Sequence, residues 1–213
     1  MKNLMIYLLI ACSMSFALSL EDVKRGVESG CFNSDSLEMK FKTTITSPVI
    51  GSQTTSTYSV RKGKNKIYYE IKSPILNQRT IVSGEKMRVI DLNTNKEIIN
   101  SKGVDLNKIA QSPMVDPFTD GDWKEPVFVS ENVYKIESDS SEVYYDASKK
   151  QIVKMIQTIP QGTMYTNIDY QGSTKAISSM EIVVVVNNQE TKIKMVFSKF
   201  KNSKDFPESF FEF

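Results

Sequence analysis

The chain contains no histidine. That absence removes serine–histidine–aspartate triads, imidazole metal sites and an imidazole general base. Cysteine is nearly as scarce: there are two, Cys12 and Cys31, in 213 residues. Cys12 sits in an apolar N-terminal run that reads as a leader. Cys31 then has no partner for an internal disulfide in the oxidising compartment a leader implies, and it reads as a small buried apolar residue. Excess charge is also missing. The formal net charge is +2, too small to point to nucleic acid or to an acidic membrane surface. Internal repeats and low-complexity tracts are absent. The richest carboxylate cluster, Asp116, Asp120, Asp122 and Glu125 in "DPFTDGDWKE", lacks the spacing of an EF-hand loop and reads as a solvated acidic loop. No catalytic residue, metal ligand or cofactor site is expected, and the chain is not read as an enzyme.

What is present begins with "MKNLMIYLLIACSMSFALS": one lysine, an apolar run, then small residues. This is the three-part form of a secretory signal. Cleavage after Ser19 puts Ala17 and Ser19 in the small-residue positions, and cleavage after Ala17 is the alternative. The expected division is a signal over residues 1–19 and one domain over 20–213, in a protein exported to the periplasm. "LIAC" at Leu9–Cys12 also matches a lipobox, so lipid anchoring at Cys12 stays open beside cleavage.

Next, Leu20, Val23 and Val27 recur at spacings of three and four before Gly30, which predicts a short amphipathic helix. From "LEMKFKTTITS" the period drops to two. Apolar and polar residues alternate through "TTSTYSVRKG", "NKIYYEIKS", "NQRTIVSG", "EKMRVIDL" and "KEII", and again from "PVFVSENVYKIES" to "ETKIKMVFSKFK". The turns between them are short, as at "SGE" and "NTN". Such runs are antiparallel strands in an up-and-down meander, about eleven in number, with no room for helical crossovers. Met180, Ile182, Val184 and Val186 are placed to face Ile193, Met195 and Phe197 across the "NNQE" turn. Between the two sets, residues 101–126 lose the alternation.

A sheet of this many strands twists and curls, and a barrel of that width is too wide for its own inward side chains to fill. The expected fold is mainly β: a curled antiparallel sheet forming an incomplete barrel, with short helices as plug and lid. The inward, lipid-cavity residues are expected to be Met39, Phe41, Ile45, Tyr58, Ile67, Tyr69, Ile71, Met87, Val89, Met155 and Met164. Leu106, Ile109, Met114, Phe118 and Trp123 are the lid residues. Ten methionines suit a surface that moulds to flexible chains. A membrane-spanning barrel is disfavoured. Lys and Glu occupy the outward faces of "KIYYEIK" and "ETKIKM", where charge costs about 2–4 kcal/mol at the bilayer midplane.

The stretches "YYEIKSPILNQRTIVSGEKMRVIDLNTNKEI", "VYYDASKKQIVKMIQ", "TNIDY" and "DFPESFFEF" resemble the LolA-type and LolB-like lipoprotein-sorting family. Gly84, Met87, Val89 and Asp91 with the Asn93–Asn95 hairpin match its early strand pair. Asp205, Phe206, Phe211 and Phe213 match its ending. The resemblance implies an eleven-stranded half-barrel closed by helices, whose cavity shields the acyl chains of a lipoprotein on its way to the outer membrane. It also implies an inner-membrane release complex and an outer-membrane receptor as partners, and a monomer is expected. The family's latching arginine has no clear counterpart; Arg61 and Arg79 lie on strands outside any recognisable motif. A non-carrier module, binding a lipid or lipoprotein as a sensor or assembly factor, would use the same cavity.

Overall fold

The computed structural model describes residues 18–28, 36–63, 65–102, 117–119, 121–172, 174–202 and 206–212. Cys12, Cys31, Leu106, Ile109 and Met114 lie outside them. Helix α1 (Leu20–Glu28) begins on a capping box. The Ser19 hydroxyl accepts from the Asp22 backbone N–H at 3.2 Å, and the Asp22 carboxylate accepts from the Ser19 backbone N–H at 3.3 Å. Glu125, from the expected acidic loop, has a structural task instead. Its carboxylate accepts the Leu20 N–H at 3.0 Å, tying the helix start to the chain ahead of the later strands.

Thirteen strands follow. They are β1 (Ser36–Ser47), β2 (Gly51–Lys62), β3 (Lys66–Lys72), β4 (Asn77–Ser83), β5 (Lys86–Asp91) and β6 (Lys96–Lys102), then β7 (Val127–Ser130), β8 (Val133–Glu137), β9 (Ser141–Asp146), β10 (Gln151–Ile159), β11 (Gly162–Tyr170), β12 (Ile177–Val186) and β13 (Gln189–Asn202). The sequence suggests about eleven. The run "PVFVSENVYKIES" is in fact a hairpin: Glu131, at φ 45°, turns the chain between β7 and β8. All thirteen form one antiparallel sheet in the order β6-β5-β4-β3-β2-β1-β13-β12-β11-β10-β9-β8-β7. β6 and β7 are its two edges and do not pair, so the barrel is incomplete. Asn187 and Asn188 both have positive φ, the requirement of a tight primed turn, and they join β12 to β13. Met180 pairs with Met195 and Ile182 with Ile193, as the alternation suggests, whereas Val184 meets Thr191.

Both faces of the sheet carry a core. On the face that receives α1, here the inner face, Val23 and Val27 pack with Leu37, Met39, Met155, Ile168, Met180, Met195 and Phe197. Bulges keep this face apolar where simple alternation would break it. A register shift between β1 and β13 at Lys40/Phe41 lets Phe197 and Phe200, three residues apart, both turn inward beside Phe41 and Met39. Another, between Ile152 and Lys154, does the same for Ile152 and Met155. On the outer face a smaller core forms where the 3-10 turn Glu208–Phe211 folds back: Phe206 and Phe211 bury against Val60, Tyr68 and Ile81, with Tyr58 and Phe210 alongside. No helix among the described residues is long and apolar enough to cross a membrane.

Candidate functional site: the inner face of the sheet

Cross-strand pairing shows which side chains share a face. Met39, Phe41 and Ile45 of β1 align across β2 with Ser59, Thr57 and Gln53. Ser59 and Thr57 in turn face Tyr69 and Ile71 of β3, and Arg61 faces Ile67. The row continues through Thr80 to Val89 and through Val82 to Met87. On the other arm Met155 pairs with Thr166, which pairs with Ile182, and Met164 pairs with Val184. Ten of the eleven expected cavity residues therefore lie on the inner face, from Met39 to Met164.

Tyr58 is the exception to the expected inward set. It lies on the outer face, paired with Lys40 and Glu70, in ring contact with Tyr68 and Phe210. The apolar alternation of β2 is real, but it serves the outer core. The inner side of β2 is polar throughout: Gln53, Thr55, Thr57, Ser59 and Arg61. A strand whose two faces are both half-covered gives no sign in its own sequence of which face is inner.

The inner face divides in two. Across β1 and β8–β13 it is filled: Met39 and Met155 are buried beneath α1, and Phe118 and Trp123 join the same core with ring centroids 4.9 Å apart. Two of the five expected lid residues thus pack beside the helix. Across β2–β5 the chemistry is mixed. Ile67, Tyr69, Ile71 and Met87 stay half-buried, while Val82, Val89 and Thr80 are buried. Two surface depressions formed by described residues are shallow, polar and not on this face. One, of about 390 Å³, is lined by Glu70, Lys72, Asn77, Arg79, Leu92 and Asn93; the other lies around the Ser138–Ser141 turn. Among the described residues no group of three or more carboxylate or cysteine side chains is placed to hold a metal ion.

The outer face of β1–β4 carries two ion-paired carboxylates, Glu38 and Glu70. Arg79 donates to Glu70 through Nε at 2.9 Å and Nη2 at 2.7 Å, and the Tyr68 hydroxyl donates to the same oxygen. Glu38 accepts from Tyr58 at 3.2 Å and from Lys199 at 2.6 Å. Burial raises both carboxyls, but these donors outweigh it and hold Glu70 and Glu38 below the usual carboxylate range. Burial, then the adjacent carboxylates, push Tyr58 and Tyr68 up to about 12. Arg79 is thus engaged outside, and Arg61, on the inner face, donates through Nε to the Gly63 carbonyl at 3.3 Å.

A pH dependence follows from these groups. Carboxyls held low when folded bind fewer protons than in the unfolded chain, so their stabilisation is full above the ordinary value of 4.5 and drains as pH falls through the folded values. With no histidine to titrate, urea stability is expected to stay level between about pH 8 and 5. It should fall below about 4.5, and Glu70→Gln should flatten that fall and cost about 2 kcal/mol at pH 7. A steep loss between pH 7 and 5 would contradict this account.

No family model and no curated protein matches the chain by sequence. Solved structures do match its fold. A LolA superfamily protein from Nitrosomonas europaea superimposes with a TM-score of 0.62 at 11% identity, covering 92% of this chain and 98% of that one. A DUF1329-family protein from Desulfovibrio piger gives 0.56 at 11% identity, over 90% and 95%. A domain described as an outer membrane lipoprotein-sorting protein, from Vibrio parahaemolyticus, gives 0.50 at 8% identity, over 90% and 94%. The chain has a LolA-like fold.

Proposed function

We propose that this protein is a periplasmic carrier that takes the acyl chains of lipoproteins onto its inner face and delivers them toward the outer membrane. One observation carries the reading: in a LolA-like sheet, half of the inner face is plugged by α1, Phe118 and Trp123, and the half over β2–β5 presents half-buried Ile67, Tyr69, Ile71 and Met87. Each buried methylene of a lipid anchor is worth about 0.8 kcal/mol, so an anchor does not cross water without such cover. No covalent chemistry is needed for this role.

Export by a cleaved leader belongs to the same proposal. Ser19 caps α1 and Leu18 packs against the inner core, so a mature chain beginning at Leu18, after Ala17, keeps the helix start intact. Cleavage after Ser19 discards the cap. Native mass spectrometry of protein purified from the envelope tests both points. The expected protein mass is that of residues 18–213. The expected passenger is an acylated peptide. A free phospholipid instead identifies a lipid-binding module of the same fold, and an empty protein that ignores added acylated peptide sinks the carrier reading.

A further inference from the structure

Polar groups on the two faces of the β1–β4 region are treated differently. On the outer face they are paired: Thr44 with Thr54 at 3.1 Å, Thr46 with Ser52 at 3.4 Å, and Tyr58 and Tyr68 with carboxylates. On the inner face Thr43, Thr55, Thr57, Ser59 and Thr80 make no side-chain hydrogen bond with any described residue. The first four are half-buried, and Thr80 is only 5% exposed. These hydroxyls are not orphaned: among the described residues no buried side-chain oxygen lacks a partner, so they still reach water, and a ligand that displaces that water must replace its hydrogen bonds.

Their placement is ordered. Thr55, Thr57 and Ser59 form one row along β2. Phe41 and Ile45 flank it on β1, and Ile67 and Ile71 on β3, at a strand pitch of about 4.8 Å. Thr80 lies one strand beyond, level with Ser59 and Tyr69. The surface is thus a hydroxyl row between two largely apolar rows, the β1 row being interrupted by Thr43 beside Thr55. A bare hydrocarbon would bury those hydroxyls unsatisfied. A molecule with two acyl chains joined through ester carbonyls would lay one chain on each apolar row and accept hydrogen bonds from the hydroxyls between them.

We propose that Thr55, Thr57 and Ser59 form an ester-reading element, selecting diacylglyceryl groups over hydrocarbons of equal size. This rests on the lipid-binding reading above and adds the residues that would give it chemical selectivity. Phospholipids and acylated peptides share the diacylglyceryl group.

The test is competition binding to the purified mature protein with three probes. They are a short-chain diacyl phosphocholine, its dialkyl ether counterpart, and a diacylglyceryl-cysteinyl peptide. The diester is expected to bind about ten-fold more tightly than the diether, as one or two net hydrogen bonds allow. The triple variant T55V/T57V/S59A should bind both equally and keep the diether affinity of the unmodified chain. The outer-face variant T44V/T54V should keep the preference. Tighter binding of the peptide or of the phospholipid assigns the source of the diacylglyceryl group. Equal binding of diester and diether by the unmodified protein overturns the proposal while leaving a lipid site standing, as does a preference surviving in the triple variant. Failure to bind any of the three overturns the lipid site itself.

Discussion

Replacing Gly26 with alanine is expected to destabilise the protein by about 2 kcal/mol and to raise binding of an apolar dye. The same change in an exposed helix would stabilise by nearly 1 kcal/mol, because alanine is the better helix former. Here the sign reverses. A Cβ at position 26 would meet the Tyr145 hydroxyl at 2.0 Å and its Cζ at 3.1 Å. Tyr145 cannot swing aside. It is 2% exposed within the inner core, and burial pushes its hydroxyl up to about 12. The helix must therefore lift, loosening Val23 and Val27 from the sheet. Tyr145→Phe in the Gly26→Ala background removes the nearest atom but not the ring, so it should restore only part of the loss. A higher melting temperature for the alanine variant would mean that α1 does not dock as described.

Phe211→Ala should cost about 3 kcal/mol, a typical loss for truncating a buried aromatic ring. Phe211 is 3% exposed and closes the outer core over Val60, Tyr68 and Ile81. The loss would appear as a lower urea midpoint. Glu208, one residue into the same segment's fold-back, bridges Lys62 at 2.6 Å and Lys66 at 2.5 Å. Its carboxyl is held down at about 2 by those two ammonium groups, yet it stands in solvent, where ion pairs are screened. Glu208→Gln should therefore change stability far less than Phe211→Ala. Equal losses from the two changes would show that charge, not ring burial, anchors the C-terminal segment.

Much of this architecture is legible in the residues. Two-residue alternation with short turns marks nearly every strand, and the meander order follows from those turns. Ten of the eleven expected cavity side chains share a face because period two is unforgiving: one inward residue per strand sets all the rest. Tyr58 lies outside because β2 buries its aromatic side under Phe206, Phe210 and Phe211, residues more than half the chain away. No local pattern encodes that contact. The bulge between β1 and β13 was hidden for a similar reason, since "MVFSKF" does not announce which residue is extra. The split between the filled half and the mixed half was also out of reach. It depends on where α1 docks, and the thin stripe of Val23 and Val27 states that the helix docks without stating upon which strands.

The central seam has a consequence for how the protein comes to be. Every strand pair but one joins neighbours in sequence; only β1 with β13 unites the two ends of the meander. The hairpins within each arm close small loops and form early, whereas the seam closes a loop spanning most of the chain. A polypeptide threaded across a membrane from its N-terminus would hold β1 ready long before β13 emerges. Until that last strand arrives, Met39 and Phe41 have no Phe197 or Phe200 beside them. A chain exported in that way would pass through a period with the apolar side of β1 uncovered, and the arrival of β13 would decide when that period ends.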